Sequence, residues 1–233
     1  MLRQALHAIL TTFRILTKKY YPEELEVISK YISKDSICID IGAHLGYWSV
    51  PLSKICSQGL VVSFEALPYY SEVLKTTLRL LGRANIKVFN LALADTFEIV
   101  NMKWKSEGKR LTGLTHISTS NNPKSEIESV VAVKLDVFEK LLVSKVSFIK
   151  CDVEGFELMV FRGAQKIFET HRPVIYTELN HNWCKRYNYT PADVINFLKG
   201  IDYEPFIISG KNIQPLAEVE NFSGDILFLQ RNN

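Results

Sequence analysis

The chain has 233 residues, with 28 Lys and Arg against 25 Asp and Glu, so its net charge of +3 is too small to make a nucleic acid the default partner. A hydrophobic share of 47% and a charged share of 23%, with 11 Gly and 8 Pro, exclude a disordered linker or a fibre. Cys38, Cys56, Cys151 and Cys184 form no C-x-x-C pair, which excludes a zinc ribbon and a disulfide scaffold, and no apolar run approaches the roughly 18–20 residues of a membrane helix. The start MLRQALHAIL has no small-residue cleavage site after a compact apolar stretch, so a cytoplasmic, reduced protein is expected.

In chain order, residues 1–20 place Leu2, Leu6, Ile9, Phe13, Leu16 and Tyr20 at helical spacing, while Arg3, Arg14, Lys18 and Lys19 face no acid in the segment. Such a helix needs a surface to lie on: its own domain, a second copy in a homodimer, or an anionic membrane surface. Pro22 opens a second helix with Glu23 and Glu24 in its first turn, where the helix dipole favours acids. Residues 1–34 thus read as a helical extension and 35–233 as one domain. From Ser36 the pattern changes to short β-branched and aromatic runs at 36–42, 60–66, 86–92, 146–152 and 173–179. The segments 46–56, 69–82, 138–143 and 155–170 between them read as helices, with Gly82 a stop and Gly163 a weak point. Strands alternating with helices imply an α/β fold with a mainly parallel sheet covered on both faces. Residues 95–130 carry no sustained period and read as an irregular excursion, and 203–209 with 224–230 read as a closing antiparallel pair.

The chemistry concentrates at strand ends. Asp40-Ile41-Gly42-Ala43-His44-Leu45-Gly46 leaves the first sheet strand and runs into a helix, where open α/β sheets bind ligands. Glu65 ends the next strand, placed to accept from both hydroxyls of a ribose. A dinucleotide would need a second glycine where His44 stands, and Asp40 would repel a pyrophosphate while suiting an ammonium group. The combination favours S-adenosylmethionine over NAD and counts against a dehydrogenase. Lys150-Cys151-Asp152-Val153-Glu154-Gly155-Phe156-Glu157 repeats the strand-to-helix turn at the fourth strand. There Asp152 is a candidate general base, Glu157 reads as a solvated acid of the first helical turn, and Lys150 requires an acid partner if its head is buried. Glu178, Asn180 and His181 follow the fifth strand to the same rim, His181 being a base candidate by its ordinary pKa of about 6.5. Asp152, Glu178 and Asn180 are also oxygen ligands for a Mg²⁺ variant, although no metal is expected. His116 and Trp104 lie in the excursion, Trp104 among cations that suit a sugar face and a phosphate.

The motifs D-I-G-A-H-L-G, F-E-A-L-P, L-A-L-A-D, K-L-D and K-C-D-V-E-G-F-E, in this order over about residues 36 to 180, resemble the FkbM family of S-adenosylmethionine-dependent methyltransferases. The resemblance implies a Rossmann-like class I methyltransferase fold: a mostly parallel seven-stranded sheet with an antiparallel C-terminal strand, plus the N-terminal helices. It implies that Asp40, Gly42 and Gly46 hold the methionine part of the cofactor beside His44, which stands where the family usually has Asn. Glu65 would hold the ribose and Asp95 would lie near the adenine. Asp152 and Glu154 would stand at the reaction centre with Glu178 on the following strand; from the residues themselves, His181 is expected to help there, and Lys150, Glu178 and Trp104 to lie on the acceptor side. The implied activity is O-methylation of a saccharide or glycoconjugate hydroxyl. The alternatives are a polyketide, lipid or peptide acceptor, or a scaffold that keeps the fold without catalysis.

Overall fold

The computed structural model describes residues 2–17, 22–106, 109–110, 116–117 and 125–231. Its elements in chain order are α1 (Leu2–Leu16), α2 (Leu25–Ile28), β1 (Ile37–Ile41), α3 (Ser49–Ile55), β2 (Leu60–Phe64), α4 (Pro68–Leu80), β3 (Ile86–Phe89), β4 (Ala92–Leu93), β5 (Glu98–Ser106), β6 (Lys109–Arg110), β7 (His116–Ile117) and β8 (Ser125–Val133). There follow β9 (Val146–Cys151), α5 (Glu157–Arg162), α6 (Gln165–His171), β10 (Val174–Leu179), α7 (His181–Cys184), α8 (Pro191–Lys199), β11 (Tyr203–Ser209), β12 (Asn212–Pro215) and β13 (Gly224–Gln230).

The main sheet runs β12-β11-β13-β10-β9-β1-β2-β3. Its five strands from β10 to β3 are parallel, and β13 enters antiparallel between β10 and β11. The two tail strands foreseen in the sequence pair as expected, and β12 adds an eighth, exposed edge strand to the seven. In β1 the alternation splits the core: Ile37, Ile39 and Ile41 pack beneath α5, α6 and α8, while Cys38 packs with α3 and α4 on the other face. The chain leaves β1 toward β2 on one side and returns through β9 on the other. This reversal opens a crevice at the carboxyl ends of β1 and β9.

Three expectations need correction. The described part of residues 95–130 is not irregular: β5 and β8 pair antiparallel over most of their length and head a second sheet, β4-β8-β5-β6, with β7 on β5, while 107–108, 111–115 and 118–124 lie outside the described residues. Val100, Met102, Val130 and Ala132 face inward with Leu67, Tyr70 and Val73, so the second sheet roofs the end of the main one. Its period of two is masked because Ile99 and Val131 place apolar side chains on the outer face as well. The helix foreseen at 138–143 lies at Leu135–Leu141 and is a 3-10 helix rather than an α-helix; the Asp136 carboxylate in it accepts from the Lys166 and Ile167 N–H groups at the start of α6. The helix foreseen from Pro22 shrinks to α2 and a 3-10 turn at Ser29–Tyr31. A fourth feature escaped the sequence reading, α8, which opens on a capping box between Thr190 and Asp193.

The break foreseen at Gly163 separates α5 from α6, and it has a tertiary cause. A Cβ there would stand 2.0 Å from the Ala94 carbonyl oxygen, where the second sheet joins the first. Gly163→Ala is therefore expected to destabilise the fold by about 1–3 kcal/mol through overpacking, measured as a lower urea midpoint with an unchanged slope. An unchanged midpoint would mean that the two sheets are not locked at this point.

Candidate functional site

Two turns meet in the crevice. Gly42 follows β1 with φ +78, and a Cβ on it would lie 1.9 Å from the Asp152 carbonyl oxygen. Only glycine allows the turn after β1 to touch the turn after β9 in this way. The Asp152 N–H donates to the Ile41 carbonyl (3.0 Å), so the two turns are also tied by a backbone hydrogen bond. Gly46 turns the chain toward α3 against Leu74.

Gly42, His44, Glu65, Asp152 and Glu154 line one cavity, roofed by Tyr70, Met102 and Ile117. Glu65 accepts from the backbone N–H of His44 (2.8 Å) on one oxygen and of Leu67 (2.9 Å) on the other. Burial pushes its carboxyl up to about 7 against those two bonds. His44 adopts the left-handed conformation, and its ring lies 4.3 Å from Tyr70 between centroids. Its Nε2 is buried without a hydrogen bond, and burial lowers its pKa to about 4, so the imidazole is neutral. Glu154, also left-handed, is buried and has an Oε2 without a partner. Burial first, then the charges of Asp152, Glu178 and Glu157, push its carboxyl up to about 8.

Asp152 also lines a second cleft, together with Lys150 and Glu178. The Lys150 Nζ lies 2.9 Å from Asp152 Oδ2, the acid partner that its burial requires. This cleft holds residues that the sequence reading missed: Tyr47, Trp48 and Tyr176 as rings, Glu24 and Asp225 as acids. The first two were read as helical, but α3 begins only at Ser49, which leaves both in the turn. Asp225 was discoverable only through pairing, since it stands opposite Glu178 in the register of β10 with β13.

Other expectations are placed differently. Asp40 is fully buried beneath the turn and lines neither cavity; its Oδ2 accepts from Ser49, its Oδ1 has no partner, and burial raises its pKa. Asp95 is half-buried just past Leu93, which does line the first cavity, but Asp95 itself does not. His181 is exposed at the start of α7 and lines neither cavity. The Asn180 side chain caps α7 by accepting from the Asn182 and Trp183 N–H groups, which removes it from the oxygen ligands considered for a metal. Among the described residues no group of three or more His, Cys, Asp and Glu is arranged to hold a metal ion. Glu157 is not a solvated acid: it is fully buried, and its Oε1 accepts from the Val153 (3.1 Å) and Gly155 (3.2 Å) N–H groups, so it fastens the turn that carries Glu154. The Trp104 and His116 side chains lie outside the described residues.

A cleft at the strand-order reversal, walled by a glycine turn and an acid at the tip of the next strand, under a sheet closed by an antiparallel strand, defines a class I methyltransferase fold. The sequence model of the Methyltransferase FkbM domain matches residues 40–205, and the chain belongs to the FkbM methyltransferase family. The matched stretch is a methyltransferase domain by family. The fold is shared with a methyltransferase FkbM from Methylobacillus flagellatus KT at 16% identity and a TM-score of 0.54, the match covering 84% of this chain and 44% of that one. It is shared also with the cofactor-bound Rv0187 protein from MTB at 14% identity and a TM-score of 0.50, over 97% and 90% of the two chains. The chain thus spans less than half the length of the Methylobacillus protein. A search of the curated proteins finds no match.

The site makes stability depend on pH with a definite sign. Glu65 and Glu157 titrate near 7 and Glu154 near 8 in the folded chain, against 4.5 ordinarily. The folded state binds these protons more tightly than the unfolded chain, so they favour folding below about 4.5 and that advantage is lost as pH rises through 7 to 8. His44, lowered from 6.5 to about 4, works in the opposite direction but only below 6.5. Between pH 6.5 and 8 the acids dominate. The urea midpoint is expected to fall across that interval, and Glu154→Gln to flatten the fall. A midpoint that rises with pH there would contradict the burial of these carboxyls.

Proposed function

We propose that the chain methylates a hydroxyl of a saccharide or glycoconjugate, with the donor in the first cavity and the acceptor in the second. The carrying observation is that Asp152 lines both. Methyl transfer from a sulfonium is an in-line displacement at an already activated carbon, so the protein has to align the acceptor oxygen and take its proton. A side chain at the junction of two clefts stands where those tasks coincide.

The residues present fit the donor. Glu65 has lone pairs left on both oxygens for the hydroxyls of a ribose, and its negative form is favoured by the two N–H groups it already accepts from. The backbone of Gly42 and the neutral ring of His44 offer polar contact beside it, and Leu91 and Leu93 an apolar wall for a base, with Asp95 just behind. Asp40, beneath the turn with an unpartnered oxygen, acts on an ammonium through its charge. The donor, when bound, supplies an electrophilic methyl group and a positive charge.

Toward the acceptor, Asp152 takes the hydroxyl proton while Lys150 fixes its orientation. Glu154, protonated near neutral pH, is the second proton-handling group, and a positive charge delivered to the cavity lowers its pKa and frees it to accept. His181 stands third, exposed at the rim. The rings of Tyr47, Trp48 and Tyr176, with Trp48 and Tyr176 5.2 Å apart between centroids, suit the faces of a sugar, and Glu24, Glu178 and Asp225 suit its hydroxyls. All four cysteines are free and buried, which supports a reducing, cytoplasmic setting.

Calorimetry with S-adenosylmethionine tests the first half of this reading. Glu65→Ala is expected to weaken binding about 10- to 100-fold, the worth of hydrogen bonds to a charged group, and Asp40→Ala to weaken it less. Labelled-methyl transfer to a panel of saccharide acceptors tests the second. Asp152→Asn should lower turnover about 10²- to 10⁴-fold with donor affinity preserved, and full activity in that variant would remove Asp152 from the proton-handling role.

A further inference from the structure

Helix α1 has two opposed faces. Ala8, Thr11 and Ile15 are buried on the side toward α4, where the His7 Nδ1 also lies 3.2 Å from the Tyr69 hydroxyl. The other side carries Leu2, Leu6, Ile9, Leu10, Phe13 and Leu16, all between 49% and 88% exposed. At 3.6 residues per turn, Leu2, Leu6, Ile9, Phe13 and Leu16 fall within an arc of about 80°, directly opposite the buried side. Surface apolar residues scattered singly need no explanation; a stripe spanning a whole helix does.

The charges select what covers it. The first acid of the sequence is Glu23, whereas Arg3, Arg14, Lys18 and Lys19 precede it. On the helical wheel Arg3 and Arg14 share one flank of the stripe, between it and the buried side. A second copy laid across the stripe about a two-fold axis would bring cationic flanks together with no acid in either helix to answer them. An anionic lipid surface attracts the net positive charge of this segment while its acyl region takes the apolar stripe. The helix is too short to cross the bilayer, and no described helix is long and apolar enough to do so.

We propose that α1 is an interfacial anchor that lies flat on an anionic phospholipid surface, with Leu2, Leu6, Ile9, Phe13 and Leu16 inserted and the basic residues at the headgroups. The anchor adjoins the donor cavity, because His7 packs against Tyr69 and Tyr70, at 5.9 and 6.4 Å between ring centroids, and Tyr70 lines that cavity. The inference stands apart from the identity of the acceptor.

Flotation of the full chain with phosphatidylcholine vesicles, with and without about a third of phosphatidylserine, tests it. The expected result is at least tenfold more protein on the anionic vesicles, reduced by salt. Leu6→Gln with Phe13→Gln should abolish binding, and Arg3→Glu with Arg14→Glu should remove the preference for anionic lipid. The glutamine pair should leave the thermal midpoint and donor affinity unchanged, since Leu6 and Phe13 are exposed and neither lines the first cavity. Equal binding to neutral vesicles overturns the proposal. So does absence of binding to either, or a dimer in sedimentation that Leu6→Gln with Phe13→Gln converts to a monomer.

Discussion

Everything in the site depends on the contact between two turns, the one after β1 and the one after β9. Parallel neighbours end at the same level, so their exits compete for the same space. The pair is accommodated because Gly42 has no side chain to collide with the Asp152 carbonyl and takes a φ that other residues resist. The contact places the Asp152 side chain between the two cavities and lifts Gly42 and His44 to the wall of one of them. A side chain at Gly42 would not merely crowd a loop; it would separate the wall of the first cavity from that of the second.

Beneath that contact a polar row crosses the sheet at one level. Ser63 on β2 pairs in register with Asp40 on β1, Asp40 with Lys150 on β9, and Lys150 with Tyr176 on β10. Ser49, in the first turn of α3, bonds to both Asp40 and Ser63, the latter at 2.9 Å. Burying an acid and a lysine costs solvation, and the loss is offset only where partners are supplied. Lys150 obtains its partner in Asp152, whose carboxylate is turned toward the second cleft in consequence. Asp40 keeps one oxygen without a partner. A group left in that state within a folded core is a reservoir of unfavourable energy that a positively charged ligand relieves.

The parallel strands, their order of appearance and the two acid-bearing turns were legible because each rests on local sequence: β-branched runs, a glycine where the chain must turn, an acid at a strand tip. The antiparallel tail was legible for the same reason. What escaped depended on contacts between distant segments. Glu157 reads as an ordinary acid of a first helical turn, and its burial follows only from how the preceding turn folds its N–H groups back on it. Trp48 and Tyr176 are aromatic residues like any others until the turn before α3 and strand β10 place them across one cleft. The second sheet was hidden because Ile99 and Val131 are apolar on the side facing away from the core, 73% and 38% exposed, so alternation gives no contrast. Asp40 shows the reverse case: the motif was visible, but only the fold reveals that the side chain lies beneath the turn rather than in the cleft.

The surplus of carboxylates divides affinity from rate. Glu65, Asp152 and Glu154 line the first cavity with Asp40 beneath the turn, and Lys150 lies against Asp152 in the second. Such a field draws in a sulfonium and releases the neutral thioether left after transfer, so it favours donor over product. It also holds the cation more firmly than the transition state, where the charge is already spreading toward the incoming oxygen, and uniform attraction of that kind does not raise turnover. Burial limits the penalty by keeping Glu154 largely protonated, and Glu65 about half so, near neutrality until a positive charge arrives. The carboxylate whose interaction grows along the reaction is the one beside the acceptor oxygen, which loses its proton as the new bond forms. In the proposed reaction that is Asp152, which would assign affinity to the acids around the first cavity and rate to the one it shares with the second.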